Sequence, residues 1–577
     1  MVVVTLVGWL AWRSLGWPLV HDAPLMHYVA WRIAEGAVPY RDLFDMNFPG
    51  VYLLHLLVVR TLGTGDLPWR LFDLAWLASA ALAAAAFAAP WGRLAAGVAA
   101  GSLMLYHLAG GAWQAGQRDF LLCPLLLLGA LGVTRWLETT SDTRRRDLAW
   151  GGLALGASMT IKPHTVALAG ALGVMIAITA WRTGSGVAGP LACFLLGAAV
   201  APMAVALWLA LAGALPAWRA IVFDYLVPLY SRLGRAAPNV YRWWIWIPIT
   251  SGVLLSLGSA LAAGRFRARH AVAAVGVLYG VAHFIGQGKG WEYHLYPLAT
   301  FALVLPTAEI RSALARLRRP AAIPLLLSVA LTLVLLTGKA MAVSPAGWER
   351  AKAEAARRLA DELAPRLRPG DTVQVLDTTA GGIHALLRLG VREPTRFLYD
   401  FHFFHDTDQP AIRALRAELV QGLDARLPRL IVVFETGWPA GGWERLDGFP
   451  ALRERLARYD LVRPGPDYRI YAQRDRYANH PRLRRSDRAR LLLGAVRHPA
   501  PALSRRDRPV PARGRSGPRH RLWLRAVLAV LRGHRAAALR AWPGRERWPH
   551  RAGPARGPPA RSRQRQLRGR RRPRFQG

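Results

Sequence analysis

Four polar clusters interrupt a chain that is otherwise dominated by apolar residues. "HDAPLMHYVAWRIAEGAVPYRDLFDMNFPG" (21–50) carries Asp22, His27, Arg41, Asp42 and Asp45. "GQRDF" (116–120) carries Arg118, "KPH" (162–164) opens on Lys162, and "QGKGWEYH" (287–294) carries Lys289 and His294. A carboxylate and several cations held at one membrane depth suit a particular chemistry. The carboxylate takes the proton of an attacking hydroxyl, and the cations receive the charge that grows on a departing phosphate. Asp22 is the candidate base, because desolvation at the point where the chain leaves the bilayer raises a carboxylate toward the useful pKa range. Lys289, His294, Arg118 and Lys162 are the candidate phosphate ligands, with Arg41 and Asp45 as further substrate contacts.

Each residue also has a plainer reading. Lys162, His27 and Arg60 could snorkel to the membrane interface, as long polar side chains near span ends do. Asp42 and Asp45 could cap a turn ahead of Pro49 by accepting backbone amides. Asp22 fits neither reading, since its short side chain cannot snorkel and a charge deep in lipid costs about 2.5 to 3.5 kcal/mol.

The elements that must position these groups are membrane helices. The chain has 577 residues, of which 53% are hydrophobic, with 23 Trp, too much apolar surface for one soluble core. Stretches of about 18 to 24 apolar residues, each able to cross the hydrocarbon layer as a helix, recur up to Met341. Candidate spans are 1–20, 69–90, 93–112, 118–137, 148–161, 163–181, 189–213, 241–263, 270–286, 294–308 and 320–341. Basic loops at Arg93, Arg144 to Arg146, Arg182, 265–269 and 311–319 are expected to be cytoplasmic. The segment 47–62 is then a short juxtamembrane helix, and all four polar clusters reach the same outer face. The first segment reads as an uncleaved span and not as a signal peptide.

Residues 345–475 change character. Helical periodicity over 347–367 and strand-like runs at 372–377, 396–400, 430–435 and 468–472 predict a small soluble α/β domain. The glycine pairs 381–382 and 441–442 read as loops and not as a phosphate cradle between a strand and a helix. Cys123 and Cys193 fall in apolar segments and read as packing residues, which excludes a disulfide framework or a cysteine metal site. From Tyr477 onward there are 29 arginines against three acidic residues, which holds most of the formal charge of +41. An Arg/Pro-rich tail without lysine reads as GC-rich DNA translated in a shifted frame, with a disordered basic tail as the other reading. No nucleic-acid partner is expected from it.

The order and spacing of these motifs resemble bacterial members of the GT-C glycosyltransferase superfamily. The features shared are an acidic residue just after the first span, "YVAWRIAEGAVPYRDLFDMNFPG", "GQRDF" and "KP" at span ends, and "QGKGWEYHLYP". The RgtA/B/C/D-like branch is the nearest, with protein O-mannosyltransferases and the lipid A aminoarabinose transferase further off. The resemblance spans residues 1–475. It implies a polytopic α-helical membrane protein of about 11 transmembrane helices with a small C-terminal extracytoplasmic α/β domain. The divisions are 1–344, including a first outer loop 21–68, then 345–475, then the tail 476–577. It further implies transfer of a sugar from a polyprenyl-phosphate donor to an envelope glycan, lipid or protein, outside the bacterial plasma membrane. In that family's terms Asp22 is the catalytic acid of the first loop, and Lys289 with His294 lies near the carrier phosphate. Ala23 follows Asp22 where many relatives carry a second acid, so metal-independent transfer with no cofactor is expected. A polytopic lipid or sugar transporter is the alternative; it requires a polar path continuing to the cytoplasmic side.

Overall fold

The computed structural model describes residues 2–318, 320–343 and 347–474; the tail and its suspected shift of frame lie outside them. Helix covers most of 2–342 because the sequence there is long in apolar, helix-forming residues whose backbone groups must be satisfied within the segment. Seven described helices are long and apolar enough to cross a membrane: Asp66–Trp91, Arg118–Leu137, Pro163–Thr183, Ala188–Leu211, Ala268–Gln287, Glu292–Ala315 and Ala322–Ala342. The chain is a multi-pass membrane protein. Its lipid face is plain on Ala188–Leu211, where Leu196, Met203 and Leu211 stand 70%, 67% and 80% exposed, a surface that only hydrocarbon covers without cost.

The other candidate spans are helical but shorter: Val2–Arg13, Arg93–Leu108, Arg145–Ile161 and Trp246–Ala262. The first of these stops well short of residue 20 and passes through one 3₁₀ turn, Ser14–Gly16, into extended chain. Pro49–Thr61 is a separate helix of 13 residues, about 20 Å long at 1.5 Å per residue, too short to cross unaided. Deep in the bundle Arg70 pairs with Asp73, and Asp73 meets His107, whose Nδ1 is 2.8 Å from the Tyr296 hydroxyl. Three helical segments are tied together by groups that have no water to turn to.

Residues 348–473 form a four-stranded sheet in the order β1 (Val373–Leu376), β2 (Leu430–Phe434), β4 (Tyr468–Gln473), β3 (Tyr459–Pro464). β1 and β2 are parallel, with Val375 opposite Val432, and the other pairings are antiparallel. Both parallel strands are buried along their whole length, which is why they read as unbroken apolar runs. The helix Trp348–Leu363 buries Ala353, Ala356, Leu359, Ala360 and Leu363, the spacing of one helical face, and Leu359, Ala360 and Leu363 join the core that holds the strands.

Two expectations for this region need correction. Residues 396–400 are not a strand: the segment makes a single bridge, Phe44 to Phe397, with the Phe44 amide donating to the Arg396 carbonyl at 2.6 Å. Gly381 and Gly382, read as an ordinary loop, do lie between a strand and a helix, β1 and Gly382–Leu389. The amides of Ala380, Gly381 and Gly382 all donate to the Asp377 carboxylate, at 2.8, 3.0 and 2.8 Å, so the chain's own acid fills the place an anion would take.

Candidate functional site

Asp22 sits between the extended exit from the first helix and the helix Ala23–Ala34. Its carboxylate lies 3.0 Å from His21 Nδ1 and 3.5 Å from an Arg118 guanidinium nitrogen. With its amide turned to donate, Gln117 also reaches Asp22, at 3.2 Å, and accepts from Trp113. Burial alone would raise this carboxyl, but His21, Arg118 and Gln117 outweigh it and hold it well below the usual carboxylate range. That reverses the direction expected from desolvation.

Gly116 makes the approach possible. A Cβ built there would stand 2.3 Å from the Ala23 Cβ, closer than two carbons can come, so only glycine lets the Gln117–Arg118 turn lie against Asp22. The next residue, Asp119, pairs with groups from other parts of the chain. It is fully buried and meets Lys162 Nζ at 2.8 Å and His283 Nε2 at 2.9 Å. The His283 ring packs against His164, with centroids 4.2 Å apart, and lies 6.0 Å from the His294 ring. His283 and His294 come together because the helix Ala268–Gln287 packs tightly on Tyr296–Ala302: a Cβ on Gly280 would fall 2.3 Å from Leu298 Cα. A continuous line of ionisable groups therefore runs from His21 through Asp22, Arg118, Asp119 and Lys162 to His283 and His294, drawn from five separate stretches of chain.

The other candidates are placed differently. Lys289 donates to the Tyr230 carbonyl at 2.9 Å and to the Leu233 carbonyl, and its ammonium stands 4.5 Å from the Tyr230 ring. Burial lowers it to about 8, aided by Arg235. It clasps the 230–233 loop. Arg41 is half exposed and forks onto Asp42 at 2.8 and 2.9 Å, a surface pair apart from the buried line. Asp42 also accepts the Val38 amide, the turn-capping role weighed for it. Asp45 is buried and accepts from Tyr52, Asn47 and the Met46 amide at 2.6, 2.9 and 2.7 Å; burial raises its carboxyl in spite of those bonds. It organises the turn before Pro49.

His27 does not snorkel. It is fully buried with Nδ1 2.6 Å from His55 Nδ1, and burial pushes it down to about 3. Lys162 does not snorkel either, since it is committed to Asp119. His283 was missed by sequence reasoning, although a histidine within an apolar span and five residues ahead of "GKG" was a usable signal. Asp119 and His164 stood inside quoted motifs beside the residues chosen.

A backbone comparison places this arrangement in a known architecture. ArnT from Cupriavidus metallidurans, in its crystal structure bound to undecaprenyl phosphate, superimposes with a TM-score of 0.53 at 15% identity, over 82% of this chain and 97% of ArnT. The chain shares the fold of ArnT. The apo form of ArnT from the same organism gives 0.49 at 15% identity, over 82% and 97%. The archaeal oligosaccharyltransferase AglB from Archaeoglobus fulgidus, in complex with an inhibitory peptide and a dolichol-phosphate, gives 0.42 at 12%, over 83% of this chain and 75% of AglB. No family model matches the sequence, and no curated protein does.

Proposed function

We propose that this GT-C protein is a glycosyltransferase that moves a sugar from a polyprenyl-phosphate carrier to a hydroxyl of a cell-envelope acceptor, at the outer face of a bacterial plasma membrane. The observation that carries the reading is the contact of Asp22 with Arg118, next to Asp119 with its partners Lys162 and His283. A carboxylate and the cations Arg118 and Lys162, held by neighbouring residues, support such a displacement. The ArnT structure matched by the fold holds undecaprenyl phosphate, which is the class of carrier proposed.

In this mechanism the acceptor oxygen attacks the anomeric carbon as the bond to the carrier phosphate breaks. Asp22, held ionised by Arg118 and His21, is a weak base toward a resting hydroxyl. It takes the proton late, once the forming glycosidic bond has made that hydroxyl strongly acidic. Lys162 and His294, with Arg118 between them and Asp22, receive the charge of the departing phosphate. The outer placement of residues 348–473 and of the first loop belongs to the same proposal.

The test is transfer from a labelled polyprenyl-phosphate sugar to envelope acceptors by the purified protein. Asp22→Asn should reduce transfer by about 100-fold or more, with expression and membrane insertion as in the wild type. An undiminished rate in that variant removes Asp22 from the mechanism. Movement of the intact donor across vesicles, with no bond cleaved, replaces the reading with a transporter.

A further inference from the structure

Residues 212–247 connect two helices whose outward side chains face hydrocarbon. Ala188–Leu211 ends on the exposed Leu211, and Trp246–Ala262 exposes Ile247, Leu254 and Leu261 at intervals of seven. A connection that leaves one such surface and enters another starts and finishes at the edge of the bilayer.

The inner side of this connection is already occupied. Ile221 and Tyr225 belong to the core that holds the strands, and the Tyr225 hydroxyl lies 2.8 Å from His402 Nδ1 and 3.0 Å from His405 Nε2. Further on, Lys289 donates to the carbonyls of Tyr230 and Leu233, and the Ala236 amide donates to the Gly288 carbonyl at 2.7 Å. The outer side is rich in apolar and aromatic groups. Arg219, Phe223 and Val227 recur every fourth residue along the helix Leu215–Ala220 and the π-helical turn Ile221–Leu226 that prolongs it, so they share one side; Phe223 is 62% exposed and Val227 56%. In the second half Tyr241, Trp244 and Ile247, three residues apart, are exposed as well. Such a stripe is costly in water, whereas Trp and Tyr collect at the headgroup level of a bilayer and their apolar neighbours reach the acyl boundary.

The charge of the connection has one sign. Residues 212–247 hold four arginines and a single acidic residue, Asp224. Arg219, Arg232 and Arg235 are exposed, and among the described residues no carboxylate pairs with them; Arg235 reaches the Gly286 carbonyl at 3.5 Å. A guanidinium offers a planar fork of donors that matches a phosphate, and arginines at a membrane surface are drawn to anionic lipid.

We propose that residues 212–247 are an interfacial element that binds anionic phospholipid. Phe223, Val227, Tyr241 and Trp244 enter the acyl boundary, and Arg219, Arg232 and Arg235 take the lipid phosphates. Continuity with the lipid-facing surface at Leu211 and Ile247 selects a bilayer lipid over a free anion, and the arginine excess selects a negative headgroup over a zwitterionic one. The assignment stands whether or not the protein transfers sugar.

The experiment uses the full chain in nanodiscs of equal parts phosphatidylglycerol and phosphatidylcholine, with native mass spectrometry counting the lipids that stay bound on release. Phosphatidylglycerol should be retained at least about 10-fold over phosphatidylcholine. The triple variant Arg219→Gln, Arg232→Gln, Arg235→Gln should bring that ratio close to one while keeping the wild-type melting profile, and lysine at the same three positions should restore most of it. Equal retention by the wild type overturns the proposal, as does a preference that survives in the glutamine variant. Glycerol 3-phosphate should leave the bound lipid in place; displacement by it overturns the proposal, because the site would then take a free anion. A second measurement holds even if the triple variant fails to fold. Phe223→Cys, with Cys123→Ala and Cys193→Ala, carries an environment-sensitive dye that lipids spin-labelled near the headgroup should quench and aqueous iodide should not. Quenching by iodide instead places the stripe in water, and protection from both quenchers means that protein covers it; either result overturns the proposal.

Discussion

Asp22 and Asp119 are a few ångströms from cations of the same loop system, yet they answer to different tests. Asp22 is held below its ordinary 3.8 by His21 and Arg118 against the effect of burial, so it is ionised at every pH where the protein would be assayed. Activity should show no acid limb above pH 5; a limb near pH 6 that vanishes in Asp22→Asn would contradict the pairing. The same depression makes Asp22 a source of stability that is complete above pH ~4 and lost as the pH falls below it. Asp119 is a structural anchor as much as a site residue. Lys162→Met strands a fully buried carboxylate and should destabilise the protein by about 3 to 5 kcal/mol. Asp119→Asn in the same chain should recover part of that, with a coupling of about 0.5 to 3 kcal/mol in a denaturation cycle. Additive effects would mean that the 2.8 Å contact contributes nothing. The motif "GQRDF" drew attention to Arg118 by its charge, but which of two adjacent charged residues faces the base and which faces the bundle depends on the helix that starts at Arg118, and no residue-type rule supplies that.

At the scale of elements, close approach decides the geometry. Gly116→Ala puts a methyl into the Ala23 side chain and should cut transfer strongly by lifting Arg118 off Asp22. Ala23→Gly vacates that space, because the next atom, the Ala23 Cα, is 3.4 Å away, and the double variant should regain activity. A double variant as impaired as Gly116→Ala would place the role of the glycine elsewhere. Elements with one strong signal were legible from sequence: helix occupies every apolar stretch proposed as a span, and β1, β2 and β4 stand where β-branched runs placed them. Those that failed lacked a local signal. β3 (Tyr459–Pro464) is an edge strand with a single buried position, so its Asp460 and Arg463 broke the apolar pattern. "RFLYD" (396–400) is apolar because it is buried, with no strand beside it except the single bridge to Phe44.

At the scale of the molecule, the first loop region and the sheet region hold each other through backbone groups that few sequence cues announce. The Tyr28 hydroxyl donates to the Val391 carbonyl at 3.2 Å and accepts the Glu393 amide at 3.1 Å; Arg396 reaches the Tyr40 carbonyl at 2.9 Å. Tyr28→Phe leaves a buried amide and carbonyl without partners, at a cost of about 1 to 3 kcal/mol, and should speed limited proteolysis between residues 389 and 409 while the apolar helices stay resistant. Unchanged cleavage would show that Tyr28 does not fasten the two regions. The broad class of this chain was readable from hydropathy alone; the joining of its halves was not, because contacts separated by more than 350 residues leave no periodic mark. The strand, glycine pair and helix at β1 have the outline of a nucleotide pocket, but Asp377 has plugged it from within. A nucleotide sugar would find none of those three amides free; on the transferase reading proposed above, the sugar arrives already activated on its lipid carrier by another catalyst.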